Sequence, residues 1–185
     1  MDVVILPYDV WKNYRFLSMK YGDSRIMNED RYLIARQNEN LLEISDTEYT
    51  VLGSDWKAED VYSPYSRFYY IIDGEGELTY DGGKVIMKPN TLCFVPLGLK
   101  FSYSCAGFLE KIYFHVNVAA RDRNDLFAGC KSIITLPDSD VQHLLTQYKK
   151  NDLISRLYVD AKLRMGIIKV FGYTGLESAS EEPYN

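Results

Sequence analysis

The run Arg67-Phe-Tyr-Tyr-Ile-Ile-Asp-Gly-Glu-Gly76-Glu-Leu-Thr-Tyr80-Asp-Gly-Gly-Lys-Val85-Ile-Met87 decides the fold. Val, Ile, Tyr, Phe and Thr suit a pleated, half-buried surface, and here they come in short blocks cut by Asp-Gly and Gly-Gly pairs. Asp81-Gly82 between Tyr80 and Val85 is a hairpin signal, because Gly takes the positive φ such a turn demands. The punctuation continues with Pro89-Asn90, Pro96-Leu97-Gly98 and Ala106-Gly107. Strands are therefore expected at Phe68–Ile72, Glu77–Tyr80, Val85–Met87, Thr91–Val95, Phe101–Ser104 and Leu109–Val118. Short strands at this spacing predict an antiparallel sandwich or barrel.

The last of these strands alternates cleanly. Ile112, Phe114, Val116 and Val118 share one face, and Lys111, Tyr113, His115 and Asn117 share the other. The apolar face should be packed; the polar one meets either water or a polar cavity, and the pattern leaves both open. Upstream, Tyr32–Ala35, Leu41–Ile44 and Tyr49–Leu52 read as strands, and Trp11–Met19 as a helix or an arm. Downstream of Pro137 the period changes. Asp138 or Ser139 can cap a helix to about Lys150, and Asn151 or Asp152 a longer one ending near Phe171, with Gly172 as its stop. Ile154, Leu157, Tyr158, Ala161, Met165 and Ile168 recur at three- and four-residue steps on this longer helix. Asp152–Arg156 and Asp160–Arg164 are spaced as supporting ion pairs, and Lys162, Arg164 and Lys169 read as a solvated flank. The division expected is a barrel with an N-terminal arm over 1–136, a helical segment over 137–173, and a linker or disordered tail over 174–185.

Composition narrows the function. The 185 residues carry a formal charge of −5, which argues against nucleic-acid binding by this chain as a whole. Two histidines, His115 and His143, cannot build a three-His metal site, and three cysteines without a CxxC give neither a zinc ribbon nor a disulfide framework. No cofactor and no metal are expected. No apolar run reaches the length of a membrane span, and the N-terminus lacks a basic, signal-like start, so a cytoplasmic location is expected.

One stretch carries a family resemblance. Asn90-Thr-Leu-Cys-Phe-Val-Pro96-Leu-Gly98-Leu-Lys-Phe101-Ser-Tyr-Ser-Cys105 resembles the second cupin motif, with Asn90 for its Gly, Phe101 for its metal-binding His and Cys105 for its Asn. Tyr62-Ser-Pro-Tyr-Ser-Arg67 through Gly76 resembles the first motif, with Arg67 where the ligand Glu should stand and no His just before it. The resemblance keeps the β frame and loses all four metal ligands. A cupin metal needs imidazoles and a carboxylate, and a fixed cation there would repel it.

Such a frame followed by two helices resembles the N-terminal effector-binding and dimerisation domain of AraC-family transcription regulators. The resemblance implies a cupin-type antiparallel β-barrel that binds a small-molecule effector, often a sugar or polyol. It also implies a homodimer through the C-terminal helices, and DNA contact only through a helix-turn-helix domain not present in this chain. On that frame Tyr65, Arg67 and Tyr69 line one wall, Phe101 and Tyr103 also face inward, and Tyr113 and His115, sharing the polar face of their strand, complete the expected ligand-binding set. Arg67 reads as a donor fork for a ligand oxyanion or as a structural ion pair, and Phe101 and Tyr103 as stacking platforms or core filling. The stripe of Ile154, Leu157, Tyr158, Ala161, Met165 and Ile168 packs on the barrel or on a second copy. No catalysis is expected; the alternative is a metal-independent cupin enzyme, a sugar epimerase or isomerase, or a stand-alone carbohydrate-binding cupin. An enzyme of that kind needs an acid and a base together, and His115 is the plausible base, without an identifiable carboxylate partner.

Overall fold

The turns expected from the sequence break the middle of the chain into strands that pair only antiparallel. In the computed structural model, residues 42–62, 64–119 and 125–175 are described. Among them lie nine strands and two helices: β1 (Leu42–Leu52), β2 (Lys57–Val61), β3 (Ser66–Gly74), β4 (Gly76–Tyr80), β5 (Gly83–Met87), β6 (Thr91–Val95), β7 (Phe101–Ser104), β8 (Leu109–Val118), β9 (Ile134–Pro137), α1 (Val141–Lys150) and α2 (Leu153–Thr174). β6, β7 and β8 have the bounds read from the sequence. The two pieces expected near Leu41–Ile44 and Tyr49–Leu52 are one strand, and β2 and β9 were not foreseen. The expectations for Trp11–Met19, for Tyr32–Ala35, for an N-terminal arm and for the tail beyond Gly175 lie outside the described residues.

One sheet has the order β1-β8-β3-β6-β9 and the other β2-β7-β4-β5. β1 pairs with β8, β2 with β7, β3 with β6 and β4 with β5, as in one long hairpin. That hairpin is rolled so that β8 also meets β3 and β7 meets β4. This is the jelly-roll order, the frame of the cupins. The fold is a cupin-type antiparallel β-barrel with two C-terminal helices.

Two positions show why the turns carry the residues they do. Gly74 sits at φ 74°, and a Cβ there would lie 2.2 Å from the Phe108 carbonyl oxygen, so no side chain fits. Asn90 stands where the cupin motif has Gly, and it adopts φ 59°, a left-handed conformation Asn tolerates better than other non-Gly residues.

The alternation of β3 and β8 sorts two cores onto opposite faces of the larger sheet. Phe68, Tyr70, Ile72, Ile112, Phe114 and Val116 face outward and are covered by α1 and α2 through Val141, Leu144, Leu163, Ile167 and Val170. Tyr69, Ile71, Cys93, Val95 and Leu109 face inward and meet Leu78, Met87 and Phe101 of the smaller sheet. The barrel and helical segments thus share a core, and the described residues fall within one compact unit beginning at Leu42.

The helix details correct several sequence expectations. α1 starts after Asp140 with no side-chain cap, because Asp138 is buried and accepts from Asp140 N and Lys162 Nζ instead. Asp152 caps α2 by accepting from Ser155 N at 2.8 Å. α2 runs past Gly172 to Thr174 and stops at Gly175, φ 63°. Asp160 and Arg164 pair at 2.8 Å, but Arg156 turns to Asn151 and Asp152 pairs with Lys150. Lys162 is no solvated flank: it lies 2.7 Å from Asp138 and 3.3 Å from Asp140, with Tyr158 donating to the same Asp140. No helix among the described residues is long and apolar enough to cross a membrane.

Candidate functional site

The inward face of β8 carries Lys111, Tyr113 and His115, and β3 brings Tyr69 opposite Tyr113 and Arg67 opposite His115. Of the two readings left open for this face, the polar interior is the one observed. β1 contributes through an irregularity. Its register with β8 shifts between Ile44 and Asp46, and the extra residue, Ser45, sets Asp46 opposite His115, with its carboxylate still more than half exposed. Glu48 and Thr50 follow on the same face, opposite Tyr113 and Lys111.

Aromatic rings build the walls. His115 stacks between Tyr65 (centroids 4.4 Å apart) and Tyr113 (4.7 Å). The Arg67 guanidinium lies 5.2 Å from the Tyr65 ring and 5.3 Å from the Phe101 ring, and its Nη1 donates to the Tyr69 hydroxyl at 3.1 Å. Arg67 and Phe101, the residues standing where a cupin has Glu and His, therefore meet across the interior. Tyr103 stacks on Trp56 at 4.3 Å, from the turn between β1 and β2. Phe101 is fully buried in the inner core; Tyr103 is half-buried at its edge.

All seven residues expected to line a site, Tyr65, Arg67, Tyr69, Phe101, Tyr103, Tyr113 and His115, belong to this connected set of rings. Four further residues were missed: Lys111, Trp56, Asp46 and Glu48. Lys111 is 3% exposed. Its ammonium lies over Tyr69 at 3.9 Å and Trp56 at 4.1 Å, with Tyr113 at 5.9 Å. The signal for it was present, since it shares its alternation with Tyr113 and His115.

Burial governs the protonation of these groups. Desolvation, then the Arg67 charge, lowers Lys111 from 10.5 to about 7, so its two protonation states are close in energy at neutral pH. Burial and Arg67 likewise lower His115 to about 4, against the opposing pull of Asp46, whose Oδ2 is 3.5 Å from Nδ1. The imidazole is neutral at pH 7. The Tyr113 hydroxyl donates its one proton toward Asp46 (3.1 Å) or Glu48 (3.3 Å), and burial with those two carboxylates holds its pKa well above 10. Tyr69 is raised to about 12 by burial.

Two open grooves, of about 490 and 440 Å3, lie at the outside of this ring set, and Tyr103 borders the second. One runs along the turns at Asp73–Glu77 and Ala106–Phe108; the other lies beside Lys57–Glu59 and Ser102–Ser104. Neither is lined by Arg67, Lys111 or His115.

No protein-family model matches the chain, and no curated protein sequence matches it. Solved structures do. ToxT from Vibrio cholerae is similar over 77% of this chain and 61% of its own, at 8% identity and a TM-score of 0.50. EutQ from Clostridium difficile is similar over 37% of this chain at 26% identity and a TM-score of 0.34, and the chain spans 53% of its length. An RmlC-like cupin with a double-stranded β-helix fold from Methanocaldococcus jannaschii is similar over 39% of this chain and 67% of its own, at 24% identity and a TM-score of 0.34. The likeness to ToxT is one of fold, and the strand order derived above makes the described part of this chain a cupin-like domain.

Proposed function

We propose that this chain is the ligand-sensing and dimerising domain of an AraC-type transcription regulator, without catalysis and without a metal. The observation that carries this reading is the inverted polarity of the larger sheet. Its outer face is apolar and sealed by helices, while its inner face holds Arg67, Lys111 and His115 among aromatic rings, with the exposed carboxylates of Asp46 and Glu48 beside them on β1. A barrel that needed only a core would fill its interior with aliphatic residues, because buried polar groups cost stability unless partnered. A small molecule with polar and flat parts is the partner such an interior suits. ToxT, an AraC-family regulator, supports the family reading through its fold.

α2 supplies the other element. Leu163, Gly166, Ile167 and Val170 are buried against the sheet, and Ser155 is buried against α1, where it donates to Gln147. On the opposite side Ile154, Leu157, Met165 and Ile168 are more than half exposed, with Ala161 among them. An exposed apolar stripe of this length is costly in water and suits a second copy of the helix. Tyr158 is not on that stripe; it turns toward the barrel, donates to Asp140 and meets His143 edge-on. Ligand occupancy would bias this dimer, and with it DNA-reading helix-turn-helix units carried elsewhere in the regulator, through differential affinity for two arrangements.

Thermal-shift screening with sugars, polyols and small acids tests the reading. A compound class that raises the melting point should lose its effect in Arg67→Ala, with affinity weakened roughly ten- to a hundredfold for a lost charged hydrogen bond. If no compound class moves the melting point, sensing by this interior is wrong.

The enzyme alternative gains one observation, the proximity of Asp46 to His115, which provides the carboxylate the sequence had not disclosed. The same environment weakens it. An imidazole with a pKa near 4 is a poor base at neutral pH. A measured turnover abolished by His115→Ala would reverse the preference.

A further inference from the structure

The charged groups inside the barrel differ in how they are satisfied. Arg67 donates to Tyr69, and at the β1 side the exposed Asp46 or Glu48 accepts the one proton of Tyr113. Lys111 Nζ makes no hydrogen bond or ion pair among the described residues; three ring faces surround it. Cation–π contact offsets only part of the cost of taking an ammonium out of water, and buried charges are ordinarily paired. Lys111 is 3% exposed and lies on the face of Tyr113 and His115, two and four residues along β8 from them.

We propose that Lys111, together with Arg67, anchors the carboxylate of a small organic acid whose flat, apolar body lies between the rings of Tyr69, Trp56 and Tyr103. This deepens the ligand-sensing reading and rests on it, replacing the neutral sugar with an acid. A neutral polyol would leave the ammonium without a counter-charge, whereas a carboxylate supplies one and accepts its hydrogen bonds. Trp56 covers the ammonium in this structure, so the acid must displace its ring. Trp56 is one of two tryptophans in the chain.

The charge requirement makes binding pH-dependent. The groups bearing on Lys111 are Arg67 and Tyr69 from β3, Cys93 from β6, Trp56 from its turn, and Tyr113 and His115 from its own strand, with the neutral Thr50 opposite it on β1. Of these, His115 titrates near 4, and burial pushes Tyr69 and Cys93 up to about 12. Lys111, lowered to about 7, loses its proton between pH 6 and 8.5, and a bound carboxylate restores it. Affinity for the acid should therefore fall about 30-fold over that interval, with net proton uptake on binding above pH 7.

The test is calorimetric titration of the full chain at pH 6 and pH 8.5. The probes are benzoate, 2-naphthoate and hexanoate, each beside its amide, with arabinose as the neutral polyol. The expected result is that at least one acid binds tenfold or more tighter than its amide, weakens about 30-fold at pH 8.5, and shifts Trp56 emission in a Trp11→Phe background. Lys111→Met should abolish both the preference for acid and the pH dependence while retaining amide binding. Should that variant fail to fold, proton uptake by the wild type, read from titrations in buffers of different ionisation enthalpy, decides the matter. Arabinose binding with no acid bound, or acid binding insensitive to pH, overturns the acid assignment and leaves the sensing reading intact. Absence of binding by every probe, with unmoved Trp56 emission, overturns both.

Discussion

Replacing Gly166 with alanine should lift α2 from the sheet. A Cβ at this position would lie 2.3 Å from the Tyr70 hydroxyl and 3.2 Å from Leu92 Cδ2, the first more than about 1 Å inside ordinary contact. Tyr70 cannot swing aside, because its ring is fully buried, meets Phe114 edge-on, and its hydroxyl donates to the Lys162 carbonyl at 3.1 Å. Overpacking of this kind costs about 1–3 kcal/mol. A buried hydroxyl displaced from its acceptor costs about 1–3 kcal/mol more. The better helix propensity of alanine returns up to about 1 kcal/mol. The net loss expected is about 2–4 kcal/mol, or roughly 5–15 °C in Tm for a domain of this size. Urea unfolding of Gly166→Ala, Tyr70→Phe and the double variant measures it. Tyr70→Phe alone should cost about 1 kcal/mol, since the Lys162 carbonyl keeps its place in the helix ladder. Removing the hydroxyl also relieves the alanine clash, so the double variant should be more stable than Gly166→Ala alone by about 1–2 kcal/mol. Additive losses, or a Gly166→Ala variant within about 0.5 kcal/mol of wild type, would refute the docking argument.

Three further outcomes follow from the same structure. Lys111→Met should stabilise the unliganded protein at pH 6 by about 1–4 kcal/mol, because a buried, uncompensated cation is removed; urea midpoints test this, and a loss of stability counts against it. The sign in pH runs with it: the folded pKa near 7 lies below the ordinary 10.5, so the unfolded chain binds more protons, and wild-type stability should rise from pH 7 to about 9.5 and stay flatter in Lys111→Met. The His115 ring, followed by NMR, should remain neutral down to about pH 4, and a midpoint above 6 would mean that it is not stacked and desolvated as described. Sedimentation should find a dimer that Leu157→Asp with Ile168→Asp converts to a folded monomer, whereas an unchanged sedimentation coefficient for the pair assigns the stripe another role.

What the sequence disclosed depended on how local each signal was. β3 to β8 were legible because Asp-Gly, Gly-Gly and Pro-x-Gly turns bracket them and β8 alternates without interruption. β2, Lys-Ala-Glu-Asp-Val, is a charged edge strand with no inward apolar row to betray it, and β9 is four residues ending at Pro137. The aromatic half of the site was legible from alternation alone. Asp46 was not, since its direction depends on an irregularity at Ser45 seen only against β8. Lys111 was passed over because lysine ordinarily belongs at the surface. On α2 the three- and four-residue spacing identified one apolar face, but Leu163, Ile167 and Val170 form another. Gly166 was the local clue to which side meets the barrel, a small residue where another ring comes close.

Alternation along one strand also connects the proposed ligand site with the proposed dimer helix. On β3, Arg67 and Tyr69 point into the barrel, while Phe68 and Tyr70 point at the helices. Tyr69 holds Arg67 and lies against Lys111; its neighbour Tyr70 bonds the backbone of α2 at Lys162. Lys162 in turn is clamped by Asp138 at the end of β9 and by Asp140 before α1. A ligand that changes how Tyr69 sits must therefore strain β3 at the residue next to the one on which α2 rests. Close-packed interfaces of this kind shift between discrete arrangements rather than bending continuously. Tyr70→Phe separates the two events. It leaves the interior side chains untouched, so ligand affinity should stay within about twofold, while any change that ligand produces in the α2 dimer should weaken. A variant that loses affinity and dimer response together would place Tyr70 in the binding site rather than between the two sites.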